Sequence, residues 1–70
     1  MATAEEETRE AEQLVAKASR ELAKRALVYA VALEDPETPE GDVVVAEIAV
    51  RTQGKVLRSA QYYLRAVVDR

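Results

Sequence analysis

Apolar residues in the first half of the chain recur at steps of three and four residues, which is the spacing of one side of an α-helix. They are Ala11, Leu14, Val15, Ala18, Leu22, Tyr29 and Leu33. No glycine, proline, asparagine or aspartate occurs at positions 4–33, so nothing there ends a helix. Thr3 and Glu6 have the spacing of a capping box, which satisfies free amides of the first turn. The pattern predicts a first helix over about 4–34.

The valine-rich part of the second half fits two patterns. Read at every second residue it gives an apolar strand face: Val44, Ala46, Ile48, Val50 and Thr52. A β-hairpin with strands at about 26–34 and 43–52 would then make an α+β chain of order αββα. In contrast, Glu47, Arg51 and Lys55 are four residues apart, which is helical spacing. We favour a second helix, and the αββα chain stays as the alternative.

The residues that break helices are concentrated in "EDPETPEGD", positions 34–42, which contains both prolines. Thr38 before Pro39 fits an N-cap followed by proline at the first helical position, and Asp42 is the alternative cap for a helix that begins later. The prediction is therefore a loop at 35–38 and a second helix at about 39–69. Two helices joined by so short a loop must run antiparallel. The chain is predicted to be a single all-α domain, 1–70, with the fold of a helical hairpin.

The distribution of charge agrees with an antiparallel pair of helices. The start of the first helix is acidic: Glu5, Glu6, Glu7, Glu10 and Glu12. The end of the second helix is basic: Arg58, Arg65 and Arg70. In a hairpin these two ends lie side by side, so opposite charges are neighbours.

The predicted second helix has more apolar surface than one neighbouring helix can cover. Its apolar face spans about 200° when successive residues are placed 100° apart. The first helix has a second apolar patch near the loop, outside its main stripe. An exposed patch of this size usually marks a protein interface. The predicted interface residues are Leu27, Val28, Val31, Val45, Ile48, Ala49, Val56, Ala60, Tyr63 and Val67.

The predicted partner is another copy of the same chain. A homodimer that forms a four-helix bundle is the simplest closed assembly, and cyclic symmetry also permits larger rings. The alternative is a binding module whose apolar face receives a helix from a different protein. A single chain with its apolar excess left exposed is the third interpretation, because protein surfaces tolerate scattered apolar residues.

The composition excludes most enzyme chemistry. Histidine and cysteine are absent, which removes a histidine base, a thiolate zinc site and disulfide bonds. The glutamates at 5–7 point in different directions on a helix and have no Glu-x-x-His partner for a metal pair. We therefore expect no enzyme activity, no catalytic residue, no cofactor, no metal site and no small-molecule substrate.

Charge and hydropathy also argue against nucleic acid and membrane as partners. The net charge of −3 is too small to indicate a polyanion or a membrane surface. A basic row with Tyr62 beside it resembles a phosphate-binding helix, but Glu47 and Asp69 interrupt that row. No apolar run approaches the ~18 residues of a transmembrane helix. The start "MATAEEETRE" lacks the layout of a signal peptide, so a chain expressed in a cell is expected in the cytoplasm.

Regular capping, helical patterning, the short "DPETPE" connector and the absence of His, Cys, Trp, Phe and Asn resemble de novo designed helical proteins. This resemblance covers the whole chain and is one of style, without a specific motif. It implies a chain made to adopt a fold or an assembly, with no natural substrate. Gly54 departs from that style, because a glycine inside a helix costs about 1 kcal/mol relative to alanine.

Overall fold

The computed structural model describes residues 3–69, and these form two antiparallel helices: α1, Ala4–Glu34, and α2, Glu40–Val68. The helices pack along their length into a rod of 53 × 16 × 13 Å. The predicted all-α hairpin is confirmed. The alternative αββα chain is wrong, since the described residues contain no strand and both proposed strand segments lie within the helices. The valine run, residues 43–50, lies inside α2 and contains no breaker itself, so its strand-like alternation has no structural consequence.

Both ends of α1 follow from the residues that flank it. Thr3 Oγ1 accepts a hydrogen bond from the Glu6 backbone N–H at 3.1 Å, so the predicted N-cap is confirmed. At the other end Asp35 has an extended backbone, with φ −92° and ψ 110°. The following residue, Pro36, disfavours a helical conformation for the residue before it, which ends the helix. The Asp35 N–H still donates to the Val31 carbonyl at 3.1 Å.

The loop is a tight turn organised by Asp35. Its Oδ1 accepts from the Glu37 N–H at 2.9 Å, and its carbonyl accepts from the Thr38 N–H at 3.1 Å. Aspartate is favoured in such turns because its side chain replaces a backbone acceptor. The turn therefore reverses the chain within residues 35–39.

The helix α2 begins at Glu40, directly after Pro39. The carbonyl of Pro39 is the first acceptor of the helix, bound by the N–H groups of Asp42 at 3.0 Å and Val43 at 3.2 Å. Pro39 is therefore the N-cap, and no side chain caps this end. The predicted Thr38 cap is wrong, because the first helical carbonyl is that of Pro39, one residue later.

The two helices meet along a seam whose residues alternate at steps of three and four, the repeat of a coiled coil. All of them are buried or half-buried: Ala11, Val15, Ala18, Leu22, Tyr29, Ala32, Val43, Ala46, Val50, Gln53, Leu57, Ala60, Leu64 and Val67. Arg25 occupies the seam position between Leu22 and Tyr29 and stays exposed. Near the middle of the rod, Gln53 Nε2 donates to the Ala18 carbonyl at 3.4 Å and links the helices.

Alanines hold most of the buried positions of the seam, and most of its larger side chains are only half-buried. Among residues 3–69 only Ala11, Ala18, Ala46 and Val67 are buried, and no large side chain is fully buried. Alanines let helices approach closely but remove little apolar area from water. The radius of gyration is 16.0 Å, compared with ~11 Å for a compact domain of this length. The hairpin therefore has a contact line but no enclosed core.

The predicted neighbours in charge lie at the same end of the rod. The first turn of α1 is acidic, and the last turn of α2 contains Arg65. Arg70 lies outside the described residues. Within α2, Glu47 and Arg51, which are four residues apart, form an ion pair with Arg51 Nη2 at 2.7 Å from Glu47 Oε1.

Candidate protein interface

The surface predicted to be an interface lies on one broad side of the hairpin. In each helix, the side chain of the residue directly before a seam residue points to this side. The side chain of the residue directly after a seam residue points to the other side. We call the first side the apolar face and the second the opposite face. The apolar residues of the apolar face are Leu14, Val28, Val31, Val45, Ala49, Val56, Tyr63 and Ala66, and Leu27 and Ile48 lie on the outer flanks of the two helices, away from the seam.

The structure leaves most of the predicted interface residues exposed. The seven that are exposed by 43–66% are Leu27, Val28, Val31, Val45, Ile48, Val56 and Tyr63. Ala49 and Ala60 are half-buried. Exposed apolar residues on this scale suggest a surface for a protein partner, and the assignment of these nine residues to an interface stays a prediction.

Val67 lies elsewhere. It is only 7% exposed and occupies the last seam position of α2, so it packs against α1 and is not part of the apolar face. The spacing explains this placement, because Val67 follows Leu64 by three residues and so continues the seam row.

Two shallow grooves run along the apolar face. One, of about 350 Å³, is lined from α1 by Leu14, Lys17, Ala18 and Glu21 and from α2 by Gln53, Val56 and Ala60. The other, of about 260 Å³, is lined by Glu21, Lys24, Arg25, Val28, Ala46 and Ala49. Glu21 borders both, so the grooves adjoin. Their floors contain seam alanines, whose small side chains leave room for side chains of another molecule.

Leu14 belongs to this surface, although the sequence pattern placed it in the core stripe of the first helix. It is 51% exposed and lines a groove together with Val56. Position 14 directly precedes the seam residue Val15, so strict alternation of three and four steps would have identified it.

The opposite face has fewer large apolar side chains and more charge on α2. Leu33, Val44 and Val68 are exposed there. Each follows a seam residue, and so do the charged residues Glu47, Arg51, Arg58 and Arg65. The Arg65 guanidinium lies 5.8 Å from the centre of the Tyr62 ring, at the edge of this face. The two broad sides of α2 therefore differ in polarity.

One ion pair lies on the apolar face, between Glu21 and Lys24, with Oε1 and Nζ 3.6 Å apart. Both residues border the groove nearer the loop. Such a partly exposed pair contributes little to stability, about 0–1 kcal/mol, but it keeps a countercharge beside the carboxylate at the centre of the face.

Other kinds of site have little support within residues 3–69. No three carboxylates are placed where they could hold a metal ion together. Neither α1 nor α2 has a stretch apolar enough, over sufficient length, to cross a bilayer. A further hollow is lined by Ala4, Glu5, Thr8, Arg9 and Glu12, all from α1, so it lacks a wall from the second helix.

No family model, no curated protein and no solved structure matches this chain.

Proposed function

We propose that the chain has a structural function: copies of it associate through the apolar face into a closed homo-oligomer, of which a dimeric four-helix bundle is the simplest form. The observation that supports this proposal is that small apolar residues are the most buried, whereas several large ones are exposed. Ala11 is 0% exposed, whereas Val45 and Leu27 are each 66% exposed. Large apolar side chains gain the most from leaving water, about 1.5–3 kcal/mol each when fully buried, so a partner that covers them is strongly favoured.

The exposed area agrees with one partner of about the same size. The chain exposes 5570 Å², whereas a compact monomer of this mass exposes ~4,300 Å². A stable interface of standard size buries roughly 800 Å² on each partner. A rod 53 Å long and 16 Å wide offers a broad side of that size. A second hairpin placed on the apolar face would therefore remove most of the excess.

The restricted amino-acid composition of the chain supports the same function. Its resemblance to designed helical proteins fits a chain whose assembly is itself the purpose, with no reaction, cofactor or small-molecule substrate. Design as the origin of the chain is part of this proposal.

A second candidate is a binding module for a helix of a different protein. The groove between Leu14 and Val56 favours it, because Lys17 and Glu21 at the rim could bind the polar side of an amphipathic helix. The two candidates use the same surface and differ in what covers it.

The test is the mass of the purified chain in solution, measured by light scattering on a sizing column over a dilution range of about a hundredfold. A single multiple of the 7.7 kDa chain mass that persists on dilution supports self-association. A mass of one chain at every concentration contradicts self-association and leaves the binding module.

A further inference from the structure

We propose that α2, and not α1, forms the centre of the contact between copies, so that α2 of one copy packs against α2 of the other and α1 lies at the rim. This arrangement rests on the self-association proposed above and names the helix at the middle of that interface. A two-fold axis pairs the same surface of both copies. A contact centred on α2 therefore brings α2 against α2 whether the two chains run in the same direction or in opposite directions.

The two grooves of the apolar face have one charged wall and one uncharged wall. Four of the residues that line them are charged, and all four belong to α1: Lys17, Glu21, Lys24 and Arg25. Every residue that α2 contributes to the grooves is uncharged: Ala46, Ala49, Gln53, Val56 and Ala60. Charge at the grooves is therefore a property of α1 alone.

The outer parts of the two helices show the same difference. Each helix places two rows of side chains on the apolar face, an inner row next to the seam and an outer row farther from it. The outer row of α1 is Glu10, Lys17, Lys24 and Val31, and the outer row of α2 is Val45, Thr52, Ser59 and Ala66. All of these residues are exposed in the hairpin. Three of the four are charged in α1, and none is charged in α2.

Charged side chains are depleted from the centres of protein interfaces and are common at their rims. Removing an ammonium or a carboxylate from water is unfavourable unless a partner replaces the lost water. At a rim, by contrast, a lysine keeps its ammonium in water while its stem covers apolar surface. Lys24 fits a rim, because its side chain is 74% exposed and its Nζ lies 3.6 Å from Glu21 Oε1. The outer row of α1 is therefore suited to a rim, and the outer row of α2 to a centre.

The uncharged surface of α2 is long enough for a helix–helix contact. Between Val45 and Ala66 the part of the apolar face that belongs to α2 has no charged residue. At 1.5 Å per residue this stretch is about 30 Å long, more than half of the 53 Å rod. It includes the exposed side chains of Val45, Val56 and Tyr63. A second α2 placed along it removes these side chains from water.

Charged residues mark the boundaries of this surface. Within residues 3–69, Asp42 is the charged residue that α2 places on the apolar face, and it lies in the first turn of the helix, beside the loop. The helix dipole favours a carboxylate there, and the contact ends at that position. Across the rod, Lys55 on the outer flank of α2 is one boundary, and Lys17 and Lys24 of α1 are the other. The inner and outer rows of α2 lie between these boundaries.

α1 contributes to the contact at its edge. Its inner row contains the exposed residues Leu14 and Val28, which lie on either side of Glu21. A helix of the other copy that packs against α2 reaches these two residues across the grooves. Leu27 lies on the outer flank of α1, beyond the charged outer row, and is covered least.

The test compares two lysine substitutions in the outer rows, Ser59→Lys on α2 and Glu10→Lys on α1. The hydrogen bond between Gln53 and Ala18 joins the helices, and both substituted residues lie six to eight residues from it toward the free ends. They are therefore at about the same height of the rod. Both variants make the chain less negative than its net charge of −3. General repulsion between copies therefore does not explain a loss of association in either variant.

The dissociation constant is measured by light scattering on a dilution series of each variant and of the parent. Ser59→Lys should weaken association by about tenfold to a hundredfold, because it places an ammonium at the centre of the contact in both copies. Glu10→Lys should change the dissociation constant by less than about threefold, because the rim stays in water. If both variants weaken association alike, or neither does, the α2-centred contact is overturned while self-association of the parent stands. A parent with the mass of one chain at every concentration overturns self-association, and this arrangement with it.

A second measurement uses distances between spin labels and does not depend on a charged variant. The chain has no cysteine, so a single introduced cysteine carries one label per copy. Lys55→Cys and Arg20→Cys are exposed positions on the outer flanks of α2 and α1, near the middle of the rod, where the direction of the copies has little influence on the distance. Pulsed electron paramagnetic resonance is recorded at concentrations where light scattering gives the parent's mass.

The distance between copies should be shorter at position 55 than at position 20 by about one helix diameter, ~10 Å. Equal distances at the two positions, or a shorter one at position 20, overturn the α2-centred contact while self-association stands. No dipolar signal at either position overturns self-association itself.

Discussion

The seam and the apolar face are neighbouring surfaces of the same two helices, yet they differ in how far their residues are buried. At the seam the closest positions are alanines, such as Ala11 and Ala18, and these are buried. On the apolar face large side chains, such as Val45 and Val28, are more than half exposed. In most domains the large aliphatic residues are the most buried ones. Here alanines hold most of the buried positions of the hairpin, and many of its large apolar residues stay exposed for another surface.

The two surfaces therefore have different roles, one in the pairing of the helices and the other in the stability of the protein. The alternation of three and four steps along the seam sets the pairing of α1 and α2, but burial of alanines contributes little free energy. The apolar face, once covered, would contribute most of the hydrophobic stabilisation. Folding of the hairpin is therefore expected to be coupled to association and to depend on protein concentration.

The largest expected effect comes from a charge on the apolar face. Val45→Glu removes an apolar contact from each copy and places a carboxylate in the interface. Loss of about 1.5–3 kcal/mol in each of two copies weakens association by on the order of a thousandfold. Light scattering should then give the mass of one chain at concentrations where the parent is assembled.

Val44→Glu is the matched control, because Val44 is the neighbouring residue, is 46% exposed and lies on the opposite face. Both substitutions lie near the start of α2, where the helix dipole favours negative charge. The control should keep the parent's mass. If Val44→Glu dissociates the assembly and Val45→Glu does not, the interface lies on the opposite face.

The seam is tested by a larger side chain at its most buried position. Ala11 is 0% exposed, so Ala11→Leu forces the helices apart and should lower the free energy of unfolding by about 1–3 kcal/mol. Ala16→Leu is the control, since Ala16 is exposed on the same helix and leucine is nearly as good a helix former. Urea unfolding followed by circular dichroism measures both. Equal stability of the two variants would contradict a close-packed seam.

The fold could largely be predicted from the sequence because its signals are local. The row of apolar residues in α1 continues for about thirty residues without a breaker, and Thr3 and Pro36 define its ends. The valine run of α2 was ambiguous, because β-branched residues fit a strand as well as a helix packed against another helix. Only the unbroken helical spacing of Glu47, Arg51 and Lys55 favoured the helix.

The division between seam and apolar face was harder to predict. A helical wheel shows one wide apolar sector but does not show which part of it contacts the other helix. The pattern therefore predicts Leu14 in the main apolar stripe of the first helix and Val67 in the interface, whereas in the hairpin Leu14 is 51% exposed and Val67 is 7% exposed. Which part of the sector contacts the other helix depends on how α1 and α2 pack together, and this is a property of the tertiary structure.

A carboxylate in place of the polar residue at the middle of the seam has a smaller expected effect. Gln53→Glu keeps the shape of the side chain but removes the donor to the Ala18 carbonyl. It also places a negative charge beside that oxygen, so a loss of about 1–2 kcal/mol is expected at neutral pH. Gln61→Glu is the matched control on the exposed side of α2, with a change within about 0.5 kcal/mol. Urea unfolding should give a lower free energy of unfolding for Gln53→Glu than for Gln61→Glu. Equal free energies would show that the Gln53 side chain does not stabilise the seam.

The smallest effect is a gain, and it tests whether the opposite face is free of a second copy. Gly54 follows Gln53 and so turns to the opposite face, where an added Cβ would meet no described atom within 4 Å of the same chain. Gly54→Ala should therefore stabilise α2 by about 1 kcal/mol and raise Tm by about 4–8 °C, with the mass unchanged. A thermal scan and light scattering measure both quantities. If the variant instead loses mass, another backbone approaches Gly54 in the assembly, and the opposite face is part of the interface too.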